Sequence, residues 1–283
     1  KDKRYIENWR PISLLNVDTK IISKALANRL KDTLPDIISH DQTAYVKGRF
    51  IGESTRLISD ILEVTENFNV GGYILTADIE KAFDSMDHQF LLAALTKFGF
   101  GEYFIDWIKI LLSKNESCVI NGGTTSKYFE LQRGARQGDP IAAYLFVIAL
   151  EFFFIMVRSE NQINKLKLCD YEFLLSAYAD DTTFFVTDLN SVLLIFSLFD
   201  TFSCFSGFKL NLTKCEICGI GALKGVKTAL CGIKNIDLTT QSIRVLGVHY
   251  SYDKNIYRDS NFLTTIKKIE KVLKLWKMRY LSL

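Results

Sequence analysis

Three aspartates carry the strongest chemical signal in the sequence. Asp78 ends a short, β-type apolar run. Asp180 and Asp181 separate two further apolar runs, at 174–178 and 182–186. Because adjacent carboxylates inside an apolar hairpin repel each other and lose hydration, they are either solvated turn residues or ligands of a cation. If the fold brings Asp78 to the pair, the three form an oxygen-ligand site suited to Mg²⁺.

Other chemistries find less support in the sequence. The three histidines, His40, His88 and His249, stand in no nucleophile or metal pattern. Cys215 and Cys218 have a metal-like spacing, but no second pair or neighbouring histidine completes a tetrahedral zinc site. We therefore expect the chemistry to depend on carboxylates. Two divalent cations about 3.5–4 Å apart activate an attacking oxygen and stabilise a leaving one.

Distant elements must position these carboxylates. Asp78 and Asp180 are 102 positions apart; the first falls at the end of a predicted strand and the second at the tip of a predicted hairpin. Helical spacing of apolar residues predicts an amphipathic helix over 12–34. The apolar run 141–157 predicts a buried helix, because Glu151 interrupts it and it is shorter than the ~20 residues of a membrane span.

Charge is segregated along the chain. Residues 1–49 carry 10 Lys/Arg against 6 Asp/Glu, residues 50–253 carry 17 against 24, and residues 254–283 carry 8 against 2. An acidic centre between basic flanks suggests cations in the middle and polyanions at the margins, with solvated charged faces as the alternative. In 262–283 the basic side lies opposite an apolar stripe, which fits a nucleic-acid contact or a coiled-coil or partner-binding helix.

Composition indicates a packed globular protein. Of the 283 residues, 48% are hydrophobic and 3 are proline, so a sizeable core is expected. Six cysteines in a chain of this length make no disulfide scaffold, and no signal peptide precedes them. We expect an intracellular protein, nuclear or cytoplasmic and not secreted, with no membrane partner. The first residue, Lys1, and a helical pattern at the end predict an excerpt of a longer protein.

Seven sequence blocks occur in a diagnostic order. They are NWRPISLLN (8–16), DQTAYVKGRF (41–50), TADIEKAFD (76–84), RGARQGDP (133–140), YADD (178–181), GFKLNLTK (207–214) and VLGV (245–248). In this order the blocks resemble those of reverse transcriptases, and most closely the non-LTR (LINE-type) retrotransposon enzymes. The resemblance covers nearly the whole chain.

The resemblance implies an α+β right-hand polymerase fold. Fingers and palm would span 1–253, with the fingers at about 1–72 and 88–132 and an antiparallel palm sheet flanked by helices. The start of a helical thumb, truncated here, would span 254–283. Within the palm, residues 245–248 match a strand that supports the primer end.

The resemblance also implies catalytic roles, position by position. Asp78, Asp180 and Asp181 would bind two Mg²⁺ ions, with Mn²⁺ as a possible substitute, and Asp78 and Asp180 would coordinate most directly. Lys214 falls where the family has a lysine proposed to protonate the leaving pyrophosphate. The alternative for Lys214 is an ordinary surface lysine.

Three positions match contacts to the incoming nucleotide. The ring of Phe83 would lie beneath the sugar and exclude a 2′-OH, unless it only packs at a helix end. Lys47 and Arg49 fall in a block that resembles the triphosphate-binding segment, where ammonium and guanidinium groups suit phosphate. Solvated loop charges are the alternative for both.

Three more positions match segments near the template or the nascent base pair. Gln137 and Gly138 fall in the loop that lies against the nascent base pair, where glycine permits close backbone approach. Asp139 departs from the family pattern there, which has a small neutral residue or Cys in many relatives. Arg10 would belong to the fingers and face template or nucleotide.

The function implied is RNA-directed DNA synthesis, a nucleotidyl transfer that adds dNTPs to a DNA primer on an RNA template. A catalytically silent nucleic-acid-binding fragment of a retroelement is the rival from another class. A group II intron maturase or a telomerase-like polymerase is the rival among enzymes. In a LINE-type element, an endonuclease and the rest of the thumb would belong to the full-length polyprotein.

Overall fold

The computed structural model describes residues 4–5, 12–113, 115–228, 230 and 232–277. The helices are α1 (Val17–Ile37), α2 (Ile51–Asn67), α3 (Ala82–Ser85), α4 (His88–Lys97), α5 (Glu102–Leu112), α6 (Ala142–Ser159), α7 (Leu189–Ser206), α8 (Lys254–Arg258) and α9 (Thr264–Lys277). The strands are β1 (Gly72–Ala77), β2 (Glu116–Ser117), β3 (Ile120–Asn121), β4 (Thr124–Thr125), β5 (Phe129–Glu130), β6 (Leu166–Leu168), β7 (Tyr171–Phe173), β8 (Leu175–Tyr178), β9 (Asp181–Val186), β10 (Glu216–Ile220), β11 (Lys234–Asn235), β12 (Ile243–Val245) and β13 (Val248–Tyr250).

A five-stranded sheet in the order β11-β10-β1-β9-β8 forms the centre of the described chain. β1 pairs antiparallel with both β9 and β10. Successive residues of a strand point to opposite faces, so the central strands feed two apolar clusters. One cluster contains Leu75, Phe184 and Ile217, and the other contains Ile74, Phe185 and Cys218. Both faces of the sheet are therefore buried, which explains why these strands read as nearly continuous apolar runs.

Helices cover the two faces of the sheet. The larger cluster is built with α6, which contacts α1, α4 and α7. On the other face, α2 contacts β8 and β10 and contributes Ile58, Ile61 and Leu62 to the smaller cluster. By length and apolar composition, α6 and α7 could each cross a membrane, and most of α6 is buried inside the protein. The predicted buried helix is thus present as α6.

Short hairpins lie outside the central sheet. One of them turns between Asn121 and Thr124, where β3 and β4 pair. The predicted strand at 245–248 is wrong, because β12 ends at Val245 and β13 begins at Val248. Leu246 and Gly247 between them both have positive φ, 52° and 84°, the conformation that closes a two-residue hairpin. The block is therefore a tight turn.

The cysteine spacing has a structural explanation. Cys215 and Cys218 are both buried free thiols, and Cys218 packs in the smaller apolar cluster. Burial raises the pKa of the Cys218 thiol to about 12. In this setting the Cys218 thiol packs as a small apolar side chain.

An ion network around the buried Glu151 ties α6 to the segment after α1. Glu151 is 1% exposed, and Arg158 donates a hydrogen bond to its Oε1. The other terminal nitrogen of Arg158 donates to Asp41 Oδ2 at 2.8 Å. Burial raises the pKa of the Glu151 carboxyl, and the charge of Arg158 opposes that rise. The arginine therefore compensates a charge that would otherwise be costly inside the core.

We predict that Arg158→Met lowers the free energy of unfolding by about 3 kcal/mol, because it leaves the Glu151 carboxylate buried and unpaired. A group whose pKa is raised by folding contributes more stability when it is protonated, so the loss should be smaller near about pH 5 than near about pH 8. Urea denaturation at both pH values measures the difference.

Lys109→Met is the matched control, since it breaks an exposed ion pair with Asp106 and should cost less than about 1 kcal/mol. Adding Glu151→Gln to Arg158→Met should recover part of the loss. A loss that is equal at both pH values would contradict this account of the network.

Candidate active site

Strand pairing brings the three predicted aspartates to one end of the central sheet. The last paired residues of β1 and β9 are Ala77 and Thr182. Asp78 and Asp181 are the next residues outward on the two antiparallel strands. Asp180 immediately precedes β9, in the turn that joins it to β8. Two sequence positions more than one hundred residues apart thus become neighbours through the register of one strand pair.

The carboxylates influence one another electrostatically. The pKa of the Asp181 carboxyl is raised, first by partial loss of solvent and then by the negative charges of Asp180 and Asp78. Arg244 and Lys214 oppose this rise with their positive charges. The excess of negative charge at the sheet end is of the kind that a divalent cation relieves.

The three carboxylates form an open group. In the part of the chain that the structure describes, no three His, Cys, Asp or Glu side chains stand close enough together to hold a metal ion by themselves. Mg²⁺ usually binds through one or two carboxylates and completes its shell with water and substrate phosphates. The donor set at this sheet end therefore fits a cation that arrives with a phosphate-bearing substrate.

Lys214 lies at the same place. Its Nζ is 2.7 Å from Asp78 Oδ2, and both side chains are partly exposed to solvent. The loop before β10 is held against the end of β1, because the Asn211 N–H donates to the Asp78 carbonyl at 2.8 Å. The structure therefore places an ammonium donor beside Asp78, and its general-acid role stays a prediction.

Phe83 lies in α3 and is held by packing. Its ring stacks on Phe146 with centroids 4.4 Å apart, and the Ala135 N–H donates to its carbonyl at 2.7 Å. The residue is only half-buried, so part of the side chain stays accessible. The sugar-contact role stays a prediction.

Gln137 and Gly138 form a turn that approaches the N-terminal segment. The Ser13 N–H donates to the Gln137 carbonyl at 3.2 Å. Gly138 has φ +102°, and a Cβ there would lie 3.2 Å from the Ser13 carbonyl oxygen. Both conditions favour glycine. The turn is thus shaped by the backbone, and its template contacts stay a prediction.

Asp139, the departure from the family pattern, has a structural role. Its side chain is 7% exposed and pairs with Arg136 at 3.3 Å. Ser23 of α1 donates a hydrogen bond to Asp139 Oδ1. The acid therefore fastens the 133–140 loop to α1 at the start of α6.

The predicted phosphate contacts lie in different settings. Arg49 donates to the carbonyls of Ser39, Gln42 and Ile38 just beyond α1, so its guanidinium stabilises that segment. Lys47 is exposed and pairs with Asp32 at 3.0 Å. Triphosphate binding by Lys47 and Arg49 stays a prediction.

The predicted contact at Arg10 lies outside the residues that the structure describes.

Sequence reasoning missed three residues around the aspartates. Tyr45 has φ +60°, and its pKa is raised by burial and then by Tyr178 and Asp180. The positive charge of Arg244, in β12, lowers the pKa of Asp181. Gln42 donates a hydrogen bond to the carbonyl of Ala179, just before Asp180. The only signal for any of them was that Gln42 and Tyr45 belong to the block 41–50.

Comparison with known proteins identifies the family. Residues 1–250 match the family model described as "Reverse transcriptase (RNA-dependent DNA polymerase)". A "Transposon TX1 uncharacterized 149 kDa protein" of Xenopus laevis is 33% identical over 253 residues, which are 89% of this chain and 19% of that protein. The Pol polyprotein of the type-2 retrotransposable element R2DM of Drosophila melanogaster is 25% identical over 222 residues, covering 76% of this chain and 20% of the polyprotein. The chain spans about one fifth of the length of these relatives.

Solved structures share the fold. Telomerase from Candida tropicalis, in complex with a TWJ fragment of telomeric RNA, superposes with a TM-score of 0.55 at 11% identity. The match covers 81% of this chain and 35% of that one. The predicted right-hand polymerase fold is confirmed. The chain belongs to the reverse transcriptase family, as a domain of the non-LTR retrotransposon type.

Proposed function

We propose that this chain is the RNA-directed DNA polymerase core of a non-LTR retrotransposon protein, which adds dNTPs to the 3′-OH of a DNA primer on an RNA template. The observation that carries the proposal is the meeting of Asp78, Asp180 and Asp181 at one end of the palm sheet in a chain of this family. The rest of the thumb and an endonuclease would belong to the longer polyprotein, which we expect to act inside the cell.

The aspartates fit divalent cations. Asp78 and Asp180 would hold Mg²⁺ most directly, with Asp181 beside them, and Mn²⁺ would substitute. Two bound ions would favour ionisation of the primer hydroxyl and neutralise the charge of the leaving pyrophosphate. In support, the pKa of Asp181 is raised by burial and by the neighbouring carboxylates, so the unliganded group carries more negative charge than it readily accommodates.

The chain's own residues would then position the reactants. The primer 3′-hydroxyl loses its proton to solvent and its oxygen forms a bond to the α-phosphorus, while the bond from the α-phosphorus to the oxygen shared with the β-phosphate breaks and pyrophosphate leaves. Lys214, 2.7 Å from Asp78, would give its proton to that leaving oxygen. Phe83, fixed against Phe146, would border the sugar of the incoming nucleotide.

The exposed helix α9 supports binding to nucleic acid. Its basic residues are Lys267, Lys268, Lys271, Lys274 and Lys277, all exposed. Such charges contact duplex phosphates without reading sequence. This observation also favours the second candidate, a silent nucleic-acid-binding fragment, and Mg²⁺-dependent nucleotide incorporation distinguishes the two.

We predict that Asp78→Asn lowers primer extension on an RNA template by at least about 100-fold, because the amide keeps the shape of the side chain but loses its charge. Steady-state incorporation of dNTPs by the purified chain measures the loss. Asp106→Asn, at an exposed site on α5, is the control and should be unaffected. Extension by Asp78→Asn at the wild-type rate would refute the assignment.

We predict that Lys214→Met lowers the rate of incorporation by about 100-fold with little change in KM for the nucleotide, since a general acid acts in the transition state. Lys214→Arg keeps a positive charge, but its guanidinium does not release a proton. It should restore only a minor part of the rate in single-turnover assays. Full activity in Lys214→Arg would assign the residue a purely electrostatic role.

We predict that Phe83→Val admits ribonucleotides, because the smaller side chain leaves room for a 2′-OH. The ratio of ribonucleotide to deoxyribonucleotide incorporation should rise by about 10-fold or more. Phe83→Tyr keeps an aromatic ring and serves as the control. Unchanged discrimination in Phe83→Val would remove Phe83 from this role.

A further inference from the structure

Gln42 is a fully buried polar residue that bonds to the turn carrying the catalytic aspartates. The side chain is 0% exposed. Its Nε2 donates to the Ala179 carbonyl at 3.2 Å. Its Oε1 accepts from the Ala179 N–H and from the Ala44 N–H, each at 2.9 Å. The single amide of Gln42 therefore hydrogen-bonds to both backbone polar groups of Ala179, the residue that precedes Asp180.

The orientation of this amide is fixed by its partners. If the amide were flipped, its NH₂ group would face the N–H groups of Ala44 and Ala179, so that donors would face donors. Its oxygen would then face the Ala179 carbonyl, with no donor between them. Buried donors without acceptors are costly. The observed arrangement thus admits one orientation and three hydrogen bonds.

Ala179, whose N–H and carbonyl both bond to Gln42, has an unfavourable backbone conformation. Ala179 has φ +58°, in the left-handed region that costs an L-residue roughly 1–2 kcal/mol. It is also buried, so the turn has little room to adjust. A conformation of this kind persists where surrounding bonds determine it, and the two bonds from Gln42 to Ala179 do so.

The backbone around Gln42 is anchored to the edge of the sheet. The Thr43 N–H donates to the Ala177 carbonyl at 2.9 Å, and the Ala177 N–H donates to the Asp41 carbonyl at 2.8 Å. Arg158 in turn holds the Asp41 side chain. Gln42 is therefore joined to Ala177 of β8 by a single parallel β-bridge, so its side chain extends from a fixed backbone position.

We propose that Gln42 is a positioning residue for the aspartate pair: it holds Ala179 in the left-handed conformation, so that Asp180 and Asp181 leave the turn aimed at a shared divalent cation. The inference rests on the proposed function. It predicts that loss of the Gln42 side chain weakens metal binding. It also predicts that Ala179→Gly restores the binding, because glycine adopts a positive φ without the hydrogen bonds from Gln42.

The test compares wild type with Gln42→Leu, which has a similar volume and no hydrogen bonds. The probe is Mn²⁺ together with a deoxynucleoside triphosphate and no primer, since the donor set fits a cation that arrives with a phosphate-bearing substrate, and Mn²⁺ binding is measured by electron paramagnetic resonance. Gln42→Leu should weaken Mn²⁺ binding by about 10-fold or more, as loss of a supporting contact does at metal sites. The Mg²⁺ concentration for half-maximal primer extension should rise by a similar factor, and excess Mg²⁺ should restore most of the rate.

The double variant Gln42→Leu/Ala179→Gly tests the mechanism of the effect. Glycine adopts positive φ at no steric cost, so it should recover most of the Mn²⁺ affinity. Two controls accompany it. Gln89→Leu, at an exposed glutamine of α4, should match wild type, and Thr65→Val, which loses a buried hydrogen bond in α2, should lower thermal stability without changing Mn²⁺ affinity.

The outcomes separate the two proposals. Wild type that neither binds Mn²⁺ nor extends primers would overturn the proposed function. Two results with an active wild type would overturn only the role of Gln42 and leave the proposed function intact. One is an unchanged Mn²⁺ affinity in folded Gln42→Leu, and the other is no recovery of affinity on adding Ala179→Gly. If Gln42→Leu does not fold, Gln42→Asn, which is shorter by one methylene, carries the same expectations.

Discussion

The register between β1 and β9 is the constraint on which the site depends. Asp78 meets Asp181 because Ala77 lies opposite Thr182. A slip of one residue would exchange the two faces of a strand and send apolar residues to the wrong cluster. Since both faces of this sheet are buried, such a slip would be opposed by the whole core. The same apolar packing that stabilises the central sheet therefore fixes where its carboxylates lie.

Repulsion among the carboxylates must be balanced by the surrounding structure. Lys214 supplies a positive charge at Asp78, and Arg244 acts on Asp181. The turn before Asp180 is held by neutral hydrogen bonds from Gln42, which add no charge to the site. An arrangement that is electrostatically unfavourable without a cation can thus be preformed by the fold, and preformed ligands cost less to organise when a cation binds.

Much of this architecture was predictable from the sequence, and the failures have physical causes. Asp78 at a strand end and the Asp180–Asp181 pair at a hairpin tip followed from local apolar patterning, while their meeting needed the ordered blocks of the family. The turn at Leu246 and Gly247 was missed because two residues between short strands leave no break in an extended pattern. Gln42 and Arg49 act through backbone carbonyls and amides brought near by the tertiary fold, which side-chain patterns along the chain do not encode.

Anomalous diffraction at the manganese edge, from crystals of the chain soaked with Mn²⁺ and a nucleoside triphosphate, tests the central claim most directly. The account predicts an anomalous peak at the end of β1, within about 2.0–2.6 Å of carboxylate oxygens of Asp78 and Asp180. A well-ordered nucleotide with no peak between these aspartates, or with their side chains turned away from it, would contradict the account.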